Sequence, residues 1–115
     1  MRHLALGRMK AGKQNNTEKA YGQVLELRKR AGEVLWYAFE GIKLRLADNT
    51  SYTPDFAVML SDRTIELHEV KGAPGIFTDD AKVKVKVAAE KFPFRFIVAY
   101  PRKKRDGGGW TFQEF

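Results

Sequence analysis

An α/β domain built on a mixed sheet with helices against it is the fold this sequence predicts, on three observations. Apolar residues recur at helical spacing near both ends of the chain, as at Ala20, Tyr21, Val24 and Leu25. Between the helical stretches the pattern changes to alternation, as in Ile42-Lys43-Leu44-Arg45-Leu46, the period of a half-buried strand. A strand, a helix and another strand then follow in order from 64 to 100, the crossover that makes two strands parallel neighbours and is right-handed by rule. The 115 residues suffice for one such domain.

Residues 1–16 read as a basic arm, with Arg2, Arg8, Lys10, Lys13 and no acid, and 17–115 as the folded domain. Thr17 is the expected N-cap of a helix over 18–31, with Glu18 in its first turn and Gly32 closing it. Residues 34–47 are expected as one extended strand bent or bulged at Gly41, and 47–50 as a turn. A second strand over 52–60 begins near Pro54, where a missing N–H is tolerable. A tight turn at 61–63 leads to a third strand over 64–71, and Gly72-Ala73-Pro74-Gly75 ends it. The alternation Lys82-Val83-Lys84-Val85-Lys86-Val87 argues for a strand. The Thr78-Asp79-Asp80 start and the Ala88-Ala89-Glu90-Lys91 ending argue for a helix, which is the reading adopted for 79–91. A strand over 94–100, a basic loop, a glycine turn and an edge strand over 110–115 complete an α-β-β-β-α-β order with one added strand.

A net charge of +7 and a pI near 9.8 predict a polyanionic partner, of which nucleic acid is the commonest inside cells. No apolar run is long enough to span a bilayer, and no lipidation motif points to a membrane surface. With no cysteine there is no disulfide and no thiolate metal site, so a metal would sit on carboxylates or histidines. The expected location is the cytoplasm.

The chemistry is concentrated where the strand pattern breaks its own rule. Ile65 and Leu67 share a face of the third strand, and that face continues as Glu69 and Lys71 instead of further apolar residues. If 61–63 form a three-residue loop, Leu60 pairs with Thr64 and Asp55 falls opposite Glu69, so Asp55, Glu69 and Lys71 converge. A two-residue loop would send Asp55 to the other face. Two adjacent carboxylates suit Mg²⁺, with Mn²⁺ as a substitute, and an ammonium beside them suits phosphoryl chemistry. Glu18 is the candidate third carboxylate and Glu40 a weaker fourth. Lys82, Lys84 and Lys86, with Arg102, Lys103, Lys104 and Arg105, form either a solvated face or a strip that tracks phosphates. His68 faces away from Glu69 and reads as a packed or exposed histidine, and Asp79 and Asp80 read as helix-start acids.

Ser51-Tyr52-Thr53-Pro54-Asp55-Phe56, followed by Glu69-Val70-Lys71-Gly72 and an acidic helix start, resembles the core of the PD-(D/E)XK nuclease family. The order of elements is similar from Glu18 to Tyr100, and the likeness is residue-specific at 52–56 and 69–72. It resembles in particular the phage members that resolve Holliday junctions. The resemblance implies a restriction-endonuclease-like core, metal ligation by Asp55 and Glu69, assistance to the attacking water by Lys71, and completion of the site by Glu18. It further implies DNA cleavage, with branched DNA as substrate and a homodimer making paired cuts. The chain departs from the junction-resolving pattern at Trp36 and Tyr37, where those relatives carry another acid and only Glu40 is near. The competing expectation is a catalytically silent DNA-binding module on the same fold, against which the joint presence of Asp55, Glu69 and Lys71 argues.

Overall fold

The computed structural model describes residues 13–115, so most of the expected basic arm lies outside the described residues. The first helix, α1 (Asn16–Arg30), begins earlier than Thr17 predicts. Asn15 is the N-cap: its side chain accepts the Glu18 amide at 2.8 Å, and Glu18 Oε1 accepts the Asn15 amide at 2.9 Å. This reciprocal pair satisfies two N–H groups that a helix start otherwise leaves open, and it outcompetes a cap at Thr17. Gly32, at φ 84°, ends the helix as expected.

The expected strand over 34–47 divides in two. β1 (Val34–Phe39) joins the main sheet, whereas β2 (Leu44–Ala47) pairs with β3 (Thr50–Tyr52) in a separate hairpin. The break falls where Glu40 takes φ 51° and where a Cβ on Gly41 would stand 2.7 Å from the Ala38 Cβ. Only glycine lets the chain fold back on Ala38 so closely. The expected strand over 52–60 is likewise interrupted: Pro54 has no N–H for the ladder, and β4 (Phe56–Leu60) starts only after it.

β4 turns into β5 (Ile65–Val70) through a three-residue loop. Leu60 N donates to Thr64 O at 2.9 Å, and Arg63 takes the left-handed conformation at φ 72° that closes such loops. A short 3-10 turn precedes α2 (Asp79–Lys91), which the Thr78 side chain caps. β6 (Arg95–Pro101) and β7 (Trp110–Glu114) finish the chain. The five-stranded sheet runs β1-β4-β5-β6-β7, with β5 and β6 parallel and every other pairing antiparallel.

The sheet is mixed and has one helix on each face. On one face α2 lays Val85 and Ala88 onto Ala57, Leu67, Phe96 and Val98, with Leu44 and Leu46 of the hairpin completing the core. On the other, Tyr21 and Leu25 of α1 pack against Val34, Phe56, Val58 and Ala99. Burying a side chain such as Phe56 stabilises the fold by about 2–3 kcal/mol. The helical form of 79–91 follows from this packing, since Val85 and Ala88 meet the sheet only at helical spacing. No helix among the described residues is long and apolar enough to cross a membrane.

Candidate active site

The β4–β5 register decides which acids meet. Phe56 pairs with His68 and Met59 with Ile65, so Asp55, one residue before β4, faces Glu69. This is the register of the three-residue loop, and it puts Asp55, Glu69 and Lys71 together at the carboxyl ends of β5 and β6. In open α/β sheets, ligands bind at that end. Asp55 Oδ2 accepts the Val70 amide at 2.8 Å, Lys71 Nζ lies 3.2 Å from Glu69 Oε2, and Tyr52 Oη donates to Glu69 Oε1 at 2.7 Å.

Electrostatically the pair is loaded. Burial, and then the neighbouring Glu69 carboxylate, push the Asp55 carboxyl up to about 8, against the pull of the Val70 amide. Glu18 adds to the rise and Lys71 opposes it. Burial first, with the Glu69 charge behind it, raises the Tyr52 phenol far above its ordinary value and keeps it a donor. Two acids that cannot comfortably ionise side by side in a partly dry site are matched by a divalent cation, which neutralises both. On these grounds the donor set fits Mg²⁺ or Mn²⁺.

Glu18 stands differently. It lies near enough to act on the Asp55 charge, yet α1 packs on the sheet face opposite Glu69 and the Glu18 carboxylate accepts the Asn15 amide. Among the described residues no group of three acids or histidines is gathered closely enough to hold a metal. Asp55 and Glu69 are a pair and not a triad. Glu40 is brought beside Asp55 by its backbone, the Glu40 amide donating to the Asp55 carbonyl at 2.7 Å.

The basic residues divide by place. Arg102, Lys103, Lys104 and Arg105 are exposed in the loop after β6, at the same end of the sheet as Lys71. A cleft of about 550 Å³ opens there, lined by Gly72, Ala73, Pro74, Pro101, Arg102 and Lys103 among others. Lys82, Lys84 and Lys86 do not make one strip. At 100° per residue the helix turns Lys84 about 200° from Lys82. Lys84 Nζ donates to the Ser51 carbonyl at 3.4 Å, and Lys82 lies over the Phe77 ring.

His68 is packed, as expected, on the opposite face. Its Nδ1 meets the Tyr21 hydroxyl at 2.6 Å and its Nε2 the Glu66 Oε1 at 2.9 Å, while Arg95 holds Glu66 Oε2 at 2.6 Å. A cleft of about 560 Å³ borders this network, but its buried histidine and acid are bonded to each other and to Tyr21 and Arg95. Tyr52 is the residue that sequence reasoning missed: it reads as one more strand aromatic, and only its pairing opposite Leu44 reveals that the hairpin carries it to Glu69. Comparison with protein-family models, curated proteins and solved structures finds no match to this chain.

Proposed function

We propose that this chain is a metal-dependent endonuclease with a restriction-endonuclease-like core, hydrolysing DNA phosphodiester bonds at Asp55, Glu69 and Lys71. The observation that carries this reading is the register that opposes two carboxylates at the carboxyl ends of the parallel pair, with one acid raised to about 8. Asp55 and Glu69 would hold Mg²⁺ or Mn²⁺, with waters and substrate phosphate filling the remaining positions. When bound, the cation polarises a phosphoryl oxygen and makes water a better nucleophile near neutral pH. Lys71, now paired with Glu69, has an ammonium free to reorient toward a phosphoryl oxygen or the attacking water once the acids have another counter-charge. The loop at 102–105 supplies phosphate contacts beside the site. Branched DNA is the proposed substrate, because the basic surface comes with no motif that reads base edges in a groove. One domain offers one such site, so paired cuts would take two copies.

The silent DNA-binding reading draws on one observation, that among the described residues no third acid or histidine completes a metal-holding group with Asp55 and Glu69. Incubating supercoiled plasmid with the protein, with and without Mg²⁺, separates the two. Nicked circles that appear only with Mg²⁺ support the nuclease; retarded but intact plasmid overturns it.

A further inference from the structure

The hairpin formed by β2 and β3 stands outside the main sheet, yet it is fastened to the molecule at several points. Leu44 and Leu46 are buried in the core beneath α2. Lys91 Nζ donates to the Leu46 carbonyl at 2.7 Å and Lys84 Nζ to the Ser51 carbonyl at 3.4 Å. A two-stranded hairpin is marginal on its own, so these anchors set where it lies. Its last residue, Tyr52, pairs with Leu44 and donates its hydroxyl to Glu69 Oε1 at 2.7 Å. The Glu69 carboxylate is therefore held from two sides: Tyr52 on Oε1 and Lys71 on Oε2.

We infer that Tyr52 is a positioning residue for the cation site, fixing the orientation of the Glu69 carboxylate beside Asp55. The inference rests on the nuclease reading for the identity of the ion. Tyr52 would act through Glu69, whose Oε1 its hydroxyl holds. A carboxylate with a free torsion samples orientations that do not point at its partner, and a fixed hydrogen bond from a half-buried hydroxyl removes them. Lys71 cannot do this alone, because its ammonium is a point charge on a flexible stem that must be released when a cation enters. The anchored hairpin is then the back wall of the site.

The test compares Tyr52→Phe with Val24→Ala, a truncation on α1 at the opposite face of the sheet, in calorimetric titrations with Mn²⁺ on the full chain. Tyr52→Phe keeps the ring packed against the core and loses only the hydroxyl. Its melting temperature should stay near that of the wild type while Mn²⁺ affinity falls about tenfold, a typical cost of losing such a partner. Cleavage by Tyr52→Phe should recover toward the wild-type rate at saturating metal. Val24→Ala should melt earlier and bind Mn²⁺ as the wild type does. Unchanged Mn²⁺ affinity in Tyr52→Phe, or an equal loss in Val24→Ala, overturns the positioning role and leaves the nuclease standing. Mn²⁺ binding that depends on Tyr52, without cleavage by any variant, overturns the nuclease and leaves the positioning role.

Discussion

The Asp55 carboxylate accepts the Val70 amide at 2.8 Å, taking the place of a backbone acceptor just before β4 begins. Pro54 and Asp55 lie outside the ladder, so a side chain caps the neighbouring strand and brings a charge against Glu69. A strand end finished by a half-buried acid costs stability that a core residue would not. Such departures from local consistency mark the places where a fold serves chemistry.

Asp55→Asn, Glu69→Gln and Lys71→Ala are each expected to lower the plasmid nicking rate by about 10²-fold or more, because groups acting as one unit fail together. Gel-shift affinity for DNA should persist in all three, since the proposed phosphate contacts lie on the basic loop. Wild-type-like nicking by any two of them would remove the proposed site.

Asp55 and Glu66 should respond to mutation with opposite sign. The Asp55 carboxyl is raised from an ordinary 3.8 to about 8, so the folded state favours its protonated form. Its contribution to stability is fully present below pH 3.8 and is lost as the pH rises through about 8. Without divalent cation, Asp55→Asn should therefore be more stable than the wild type at pH 8, by on the order of a few kcal/mol at most, and the gap should close toward pH 4. The Glu66 carboxyl is held below its ordinary value, chiefly by the His68 hydrogen bond and then by the charges of His68 and Arg95. Its contribution is present above the unfolded carboxylate range and is lost in acid. Glu66→Ala strands a buried histidine and should cost about 2–3 kcal/mol at pH 7. Urea unfolding across the pH series reads both, and two changes of the same sign would contradict the assignment of Asp55 to the site and Glu66 to the scaffold.

That contrast indicates what was legible beforehand. The β4–β5 register stayed open between a two-residue and a three-residue loop, which put Asp55 on opposite faces, whereas the 79–91 helix could be read because its cap and ending agreed. The break at Glu40 could not, since Ile42, Leu44 and Leu46 alternate on one side of it and a strand-like aromatic run stands on the other. The cap at Asn15 had a signal, the spacing to Glu18, but Thr17 offered an equally good cap chemistry two residues later. Glu66 and His68, two apart on one strand, had to share a face. Their partners, Tyr21 and Arg95, lie 47 and 29 residues distant from them in sequence, beyond any local pattern.

Glu18→Gln should retain the fold, because an amide oxygen can still accept the Asn15 N–H, and the cost should be about 1 kcal/mol or less. Cleavage should weaken without vanishing, through loss of the Glu18 charge near Asp55. Unaltered nicking kinetics would confine Glu18 to the capping box, and an unfolded variant would contradict the estimate.

DNA affinity should fall steeply with salt, log affinity declining by about 0.9 per phosphate contact against log salt. Substituting Arg102, Lys103, Lys104 and Arg105 together by Gln should make that slope shallower. Four-way junctions and linear duplexes of matched sequence, titrated across the salt series, test the branched-substrate proposal, which predicts tighter binding to the junction. Equal affinity would restrict the enzyme to general DNA cleavage, and a salt-independent affinity would remove the phosphate-contact model.

The most direct measurement is a crystal soaked in Mn²⁺ and recorded at its absorption edge. The account predicts one strong anomalous peak bound by both Asp55 and Glu69, with the Lys71 ammonium drawn off Glu69 Oε2. Anomalous density absent from between the two carboxylates at millimolar Mn²⁺, with Lys71 still paired to Glu69, would contradict it.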